Sequence, residues 1–150
     1  MDKRLLFLLG AFLAVLLIAF LVRSAGKREG DGSSTTIVIG NHIYPIEIAT
    51  TLVDQARGLS GRTSLPQGQG MLFTFATSSM QAFWMHGMEF PLDFVWIDGG
   101  KVIGVTEQVP ADSQEIYNPP APSKFVLELN AGTVQKDGIK VGDAVHVEAQ

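Results

Sequence analysis

The chain contains no cysteine, and this absence removes several classes of chemistry at once. Disulfide bonds, zinc–thiolate sites, iron–sulfur clusters, thiol catalysis and lipid attachment through cysteine are all excluded. Charged residues are also sparse, at 17% of the 150 residues, whereas apolar residues make up 46%. A disordered polyelectrolyte is therefore excluded, and the length suits one folded domain.

Charge is distributed unevenly along the chain. Residues 1–32 hold five Lys or Arg and three Asp or Glu, which gives 5 − 3 = +2. Residues 33–150 hold six and twelve, which gives 6 − 12 = −6. Because an acidic domain repels phosphate backbones, we expect no nucleic acid among its partners.

An uncharged apolar run extends from Leu5 to Val22. As a helix it would span roughly 27 Å, close to the thickness of a hydrocarbon core. Arg23 lies where a signal peptidase requires a small side chain, which favours an uncleaved anchor; a cleaved signal peptide is the alternative. The sequence predicts a membrane anchor over residues 1–23, with the lipid bilayer as its partner, and a glycine- and serine-rich flexible linker over residues 24–35.

Alternating apolar residues and turn signals predict a β-rich domain over residues 36–150. Gly40-Asn41 and Asp98-Gly99-Gly100 are typical of hairpin turns. The expected strands are residues 36–39, 44–49, 71–75, 81–86, 92–98, 101–109, 125–129 and 144–148. Seven or eight short strands with two small helices predict an α+β, mainly β fold, in which a compact β-barrel-like domain carries two short helices.

The first helix is predicted over residues 52–60. Thr51 suits the N-cap position, because its hydroxyl can accept a hydrogen bond from the first helical turn. The apolar positions that follow have the spacing of one helical face; they are Leu52, Val53, Ala56 and Leu59. We therefore expect that face to pack on the core. A second short helix is expected over residues 131–137.

Short motifs occur in a fixed order between residues 45 and 148. They are Arg57-Gly58-Leu59, Arg62-Thr63, Leu65-Pro66, Gly70-Met71-Leu72-Phe73, Phe83-Trp84-Met85, Pro91-Leu92-Asp93, Ile97-Asp98 and Gly138-Ile139-Lys140-Val141-Gly142-Asp143. In this order and spacing they resemble the family known as domain of unknown function 192. The resemblance implies a barrel-like β domain that is often exported or membrane-anchored, with no established activity.

The resemblance also bears on topology and on one site. Basic residues flank both ends of the apolar run in similar number, so the positive-inside rule leaves the orientation open. Because members of the family are often exported, we expect a single-pass anchor with the domain facing outside the cytoplasm. After Phe83-Trp84-Met85 the family commonly has Lys-Asn-Thr, whereas this chain has His86-Gly87-Met88. No role of that Lys and Asn carries over.

Strand parity places three carboxylates on otherwise apolar faces. Asp93, Glu107 and Glu128 each alternate in step with Val or Ile, so they would be partly buried and need partners. Arg57 and Arg62, on or just after the first helix, could each form a bidentate pair with Asp93 or Glu128. Two interpretations are open: an ion pair that braces the helix on the sheet, and a polar cleft that binds a ligand.

A second group shares even numbers and would share one face of an extended strand. Its members are Met80, Trp84, His86 and Met88. Thioether and imidazole ligands suit Cu(I), and an indole can cover a cation, so a Cu(I) site is one interpretation. The competing interpretation is that Met and Trp simply fill the interior of a barrel.

Together these patterns favour a membrane-anchored binding domain without catalysis, whose partner is a small ligand or an envelope protein. The candidate binding residues are Arg57, Arg62, Trp84, His86, Asp93 and Glu128. No cofactor is expected, and a nucleotide in particular is disfavoured because no Gly-rich phosphate loop precedes a helix. The alternative is a hydrolase of envelope material, which a deep pocket holding two carboxylates about 5–10 Å apart would favour.

Overall fold

A computed structural model of the chain describes residues 35–149, which form one seven-stranded sheet. The strands are β1 (Thr35–Ile39), β2 (His42–Ala49), β3 (Gly70–Ser79), β4 (Leu92–Asp98), β5 (Lys101–Val109), β6 (Ser123–Asn130) and β7 (Val145–Ala149). Helix α1 (Leu52–Arg57) connects β2 to β3, and helix α2 (Thr133–Asp137) lies between β6 and β7. The prediction of a mainly β domain with two short helices is confirmed for the described residues.

The strand order is β5-β4-β6-β3-β2-β1-β7, and every neighbouring pair is antiparallel except β2 and β3. A parallel pair requires a crossover connection, which residues 50–69 supply through α1. The two edge strands meet at one end, where Lys101 pairs with Ala144 and the Val102 N–H donates to the Asp143 carbonyl at 3.0 Å. The sheet therefore curls into a partly closed barrel.

Both faces of the central strands are buried, so the sheet separates two apolar clusters. One cluster includes Leu72, Val95 and Leu127, and the other includes Phe73 and Phe94. Every residue of β4 from Leu92 to Ile97 is buried, as expected for a strand covered on both sides. The second cluster lies on the same side of the sheet as α1 and the loop of residues 80–90.

Two of the predicted elements differ in the structure. Residues 81–86 are not a strand: Phe83 alone forms an isolated bridge with Tyr117, and a turn at His86 and Gly87 interrupts the extended backbone. Helix α1 ends at Arg57 rather than at residue 60, because Gly58 takes a φ of +49° and its N–H bonds to the Asp54 carbonyl.

The predicted apolar face of α1 does not pack on the core. Thr51 is the N-cap, as predicted, and accepts a hydrogen bond from the Asp54 N–H. Leu52 and Val53, however, are 85% and 65% exposed, and no residue of α1 is buried. The contact with the core comes from Leu59, which lies beyond the helix and is 1% exposed. The helix is too short for its apolar residues to share one buried stripe.

The prediction that Glu107 shares a buried face is wrong. Leu92 pairs with Val109 and Phe94 pairs with Thr106, so β5 contains one more residue than β4 over this stretch. Gln108 takes a φ of +52°, which accommodates the extra residue. Glu107 is exposed. The prediction assumed that alternate residues of β5 point to the same face of the sheet, and this β-bulge interrupts that alternation.

Within residues 35–149, no helix combines the length and apolar character needed to cross a bilayer. The predicted anchor of residues 1–23, and the predicted linker apart from Thr35 in β1, lie outside the described residues.

Asp93 is fully buried and is satisfied by backbone donors rather than by an arginine. One carboxylate oxygen accepts from the Gln108 N–H at 2.7 Å, and the other accepts from the Val134 N–H at 2.8 Å. The first bond holds the bulge in β5. The second satisfies an N–H in the first turn of α2 that has no partner within the helix. Asp93 thus fixes two backbone segments at once.

Replacing Asp93 with Asn should therefore destabilise the fold. The amide NH₂ would face a backbone N–H and leave one buried donor unpaired, which costs about 2–3 kcal/mol of the free energy of unfolding. Urea denaturation of the full chain measures this loss. Asp112→Asn, a change at an exposed loop carboxylate, is the matched control and should stay within about 0.5 kcal/mol of the parent. Equal stability of the two variants would contradict the bracing role of Asp93.

Candidate ligand-binding site

A cavity of about 240 Å³ lies between α1, the loop of residues 80–90, β3 and β6. Four aromatic residues contribute to its wall: Phe73, Phe75, Phe83 and Trp84. The polar lining includes Gln55, Arg57, Ser60 and Glu128. An apolar cavity of about 150 Å³ can hold benzene, so this one has room for a molecule of one ring with a short polar arm.

Hydrogen bonds fix the position of the elements that form the cavity. The Gln55 side-chain amide donates to the Thr74 carbonyl at 2.7 Å and ties α1 to β3. The Ser60 hydroxyl donates to the His86 carbonyl at 2.8 Å, and the Gly61 N–H donates to the Gly87 carbonyl at 2.8 Å. The cavity is therefore formed by elements already joined in the free domain.

Phe83 is the centre of the aromatic wall. Its ring centroid lies 4.9 Å from that of Phe73 and 6.4 Å from that of Phe75, both in edge-to-face orientations. The Phe83 backbone is held by two hydrogen bonds with Tyr117, of 2.9 and 2.8 Å. Aromatic pairs in this arrangement are stabilising, so the bridge with Tyr117 places a rigid apolar wall where the sequence predicts a strand.

Glu128 lies in this apolar surrounding without a partner. Its side chain is 5% exposed, and its Oε2 atom has no hydrogen-bond partner. Across the sheet it faces Met71 on β3 and Phe94 on β4, both apolar. Gly58, at the end of α1, lies close to this carboxyl group: a Cβ atom there would be 4.0 Å from Oε2 and 3.1 Å from Cζ of Phe73.

Burial raises the pKa of the Glu128 carboxyl to about 8, and the positive charge of Arg62 opposes that rise only in part. Removing a charged carboxylate from water favours its neutral form. At neutral pH the group is therefore mostly protonated, and it can both donate and accept a hydrogen bond.

The arginines do not form the pairs that the sequence predicted. Both terminal nitrogens of Arg62 donate to Glu47 on β2, at 2.6 and 2.7 Å, in a bidentate pair at the surface. That hydrogen bond lowers the pKa of the Glu47 carboxyl. Glu47 outcompetes Glu128 because it is exposed and meets the guanidinium at a smaller cost of desolvation. Arg57 is exposed and lines the cavity.

The other predicted binding residues fall into two groups. Trp84, like Glu128 and Arg57, lines the cavity, and its side chain is 52% exposed. His86 is exposed and contributes its backbone carbonyl to the bond with Ser60, while Asp93 lies on the opposite face of the sheet from Glu128. The structure therefore brings together three of the six candidates.

The proposed Cu(I) ligands do not share a strand face, because residues 81–86 form no strand. Met88 lines the cavity beside Trp84, whereas Met80 is 54% exposed. For the part of the chain that the structure describes, no cluster of three or more His, Asp or Glu has an arrangement suited to a metal ion. Glu128 is also the one carboxylate among the described residues lining this cavity, so the two-carboxylate geometry of the hydrolase alternative does not occur there.

Sequence reasoning missed most of the residues that form the cavity, among them Gln55, Gly58, Phe73 and Phe83. Phe73 and Phe75 alternate in the sequence, which places them on one face of a strand. No local pattern indicates that this face meets Glu128, because β3 and β6 are separated by more than forty residues.

Solved structures resemble the domain closely. A protein of unknown function from Novosphingobium aromaticivorans DSM 12444 is 29% identical with a TM-score of 0.71, over 74% of this chain and 83% of that one. A protein from Sinorhizobium meliloti 1021, provisionally described as a transcription regulator, is 28% identical with a TM-score of 0.72, over 79% of this chain and 98% of that one. A comparison with curated proteins finds no match.

The family comparison agrees with the resemblance seen in the motifs. The DUF192 family model, described as "Uncharacterized ACR", matches residues 35–147. The match spans nearly all of the described residues and most of the whole chain. The chain therefore belongs to the DUF192 family.

Proposed function

We propose that this domain binds a small organic molecule in the cavity under α1, without catalysing a reaction. The observation that carries the proposal is the buried carboxyl of Glu128, whose Oε2 atom has no hydrogen-bond partner, in a cavity whose lining is mostly apolar. Binding sites for small molecules typically combine a largely apolar lining with a few polar groups that orient the ligand. Glu128 is that orienting group.

The free-energy cost of burying Glu128 without a hydrogen-bond partner supports the proposal that the cavity binds a ligand. A buried polar group without a partner costs about 1–3 kcal/mol, and a ligand that hydrogen-bonds to Oε2 would recover this free energy. Asp93, the other inward-facing carboxylate, has both of its oxygens satisfied by the protein itself. The contrast singles out Glu128 as the group with unused binding capacity.

Binding without catalysis agrees with the content of the cavity. Hydrolysis by carboxylates requires two of them in a defined separation, and the described lining provides one. The Ser60 hydroxyl is engaged with a backbone carbonyl and has no histidine base, since His86 contributes only its backbone there. The acidic charge of the domain disfavours nucleic acid as the ligand.

We further propose that residues 1–23 anchor the domain to a membrane and that the domain faces outside the cytoplasm. The support is the uncharged run from Leu5 to Val22, followed by a glycine- and serine-rich tether. In this arrangement the domain is held beside a bilayer and samples small molecules in its neighbourhood.

Four probes that share one ring and differ in one polar group test the binding proposal: benzylamine, benzyl alcohol, benzamide and benzoate. At least one should bind the full chain in detergent micelles with roughly millimolar affinity or better. The methyl NMR signal of Met88, which lines the cavity, should shift on titration.

A matched pair of variants separates binding in the cavity from binding elsewhere. Ala56→Trp fills the cavity from an exposed position of α1 and should abolish the Met88 shift. Ala121→Trp adds the same side chain at an exposed loop position away from the cavity and should leave the shift unchanged. If none of the four probes shifts Met88, or if Ala56→Trp has no effect, the binding proposal is wrong.

The membrane proposal makes a prediction of its own. The full chain should stay with the membrane pellet in alkaline carbonate, because an inserted apolar helix resists extraction that removes peripheral proteins. Protease added to intact spheroplasts should digest the domain, and a cytoplasmic protein in the same cells should survive as the control. Release by carbonate would overturn the anchor, and protection from protease would overturn the orientation.

A further inference from the structure

We propose that the cavity selects a protonated amine carried on a flat apolar body, with the ammonium group bound to the carboxylate of Glu128 and the body against the aromatic wall. This inference rests on the proposed binding function and names the chemical class of its ligand. It is drawn from the charges and rings that surround Oε2.

When Glu128 is ionised, no cation among the described residues is bonded to its carboxylate. The terminal nitrogens of Arg62 are both bonded to Glu47, so its guanidinium acts on Glu128 only through space. Opposite Glu128, Met71 lies on β3 and Phe94 lies on β4. Neither side chain can donate a hydrogen bond. A ligand that brings its own positive charge and N–H donors supplies the hydrogen-bonded partner that Oε2 lacks.

The aromatic wall favours the same chemistry. Phe73, Phe75 and Phe83 line the cavity together with Trp84 at its exposed side. The faces of aromatic rings attract cations and repel anions. An anionic ligand would gain no such attraction and would lie beside a carboxyl group, whereas a neutral ligand would gain only an ordinary hydrogen bond.

Longer-range charges do not reverse this preference. Arg57 lines the cavity but is exposed, so water and salt screen its charge. Glu47 neutralises Arg62 through the bidentate pair. Residues 33–150 carry a net charge of −6, which attracts cations to the domain.

Binding of an ammonium group requires that the Glu128 carboxyl release its proton. The carboxyl of free Glu128 is protonated below pH 8, so its proton must leave to bulk water as the ammonium group binds to the carboxylate. The ammonium keeps its own protons, and no covalent bond forms. The affinity should therefore rise about tenfold from pH 6 to pH 7, rise more slowly toward pH 8, and fall again once the pH exceeds the pKa of the amine.

Calorimetry of the full chain in detergent micelles with three of the probes tests the inference. At pH 8 benzylamine should bind at least tenfold more tightly than benzyl alcohol, and benzoate should bind most weakly. At pH 7 the heat of benzylamine binding should differ between phosphate and Tris buffers, because a released proton is taken up by each with a different enthalpy. This second readout uses only the unmodified chain.

Glu128→Gln keeps the shape of the side chain and removes its charge. It should weaken benzylamine binding at least tenfold and abolish the dependence on pH and buffer, while benzyl alcohol binding persists and reports that the cavity is intact. Glu107→Gln, a change at an exposed carboxylate on β5, is the matched control and should behave as the parent.

The outcomes distinguish this inference from the proposed function. Two results would overturn the proposal that the ligand is an amine and would leave a binding cavity in place. One is tighter binding of benzyl alcohol or benzoate than of benzylamine. The other is benzylamine binding that does not change with pH or with Glu128→Gln. If no probe binds in the cavity, the proposed function fails, and this inference fails with it.

Discussion

The desolvation of one carboxyl group is the constraint on which this account of the site depends. Glu128 lies on β6 between apolar neighbours on β3 and β4, and the segment around Gly58 covers it. Burial in such surroundings favours the neutral acid and leaves one oxygen without a partner. Each property ascribed to the cavity, from its orienting group to its expected response to pH, follows from that placement.

The placement itself is a consequence of topology. The parallel pairing of β2 with β3 requires a crossover, and α1 within that crossover lies over the face that carries Phe73 and Glu128. The loop of residues 80–90 joins the same face through Ser60 and through the bridge between Phe83 and Tyr117. On the opposite face, Asp93 shows how the same fold satisfies a buried carboxylate fully when it has a structural role. The two acids on neighbouring strands thus differ in whether the protein itself supplies their hydrogen-bond partners.

Local sequence patterns predicted much of the sheet but little of the cavity. The turn at Asp98-Gly99-Gly100 and the bounds of β4 and β5 follow from glycine conformations and alternation, which are properties of adjacent residues. Parity also identified Glu128 as inward-facing, but it failed for Glu107 because a bulge adds a residue to β5. The apolar spacing after Thr51 resembles a buried helical face, although Leu52 and Val53 are exposed. The cavity depends on contacts between distant segments, which alternation and spacing do not encode.

The ionisation of Glu128 is the most direct test of the central claim. The carboxyl carbon of Glu128 can be followed by ¹³C NMR in the full chain across pH 4 to 10, with the signal assigned by its loss in Glu128→Gln. Burial should raise the pKa of the Glu128 carboxyl from the ordinary value of 4.5 to about 8, so the titration midpoint should lie near pH 8. A midpoint near pH 4.5 would show that the carboxylate is hydrated or paired, and Glu128 would then not be a desolvated acid.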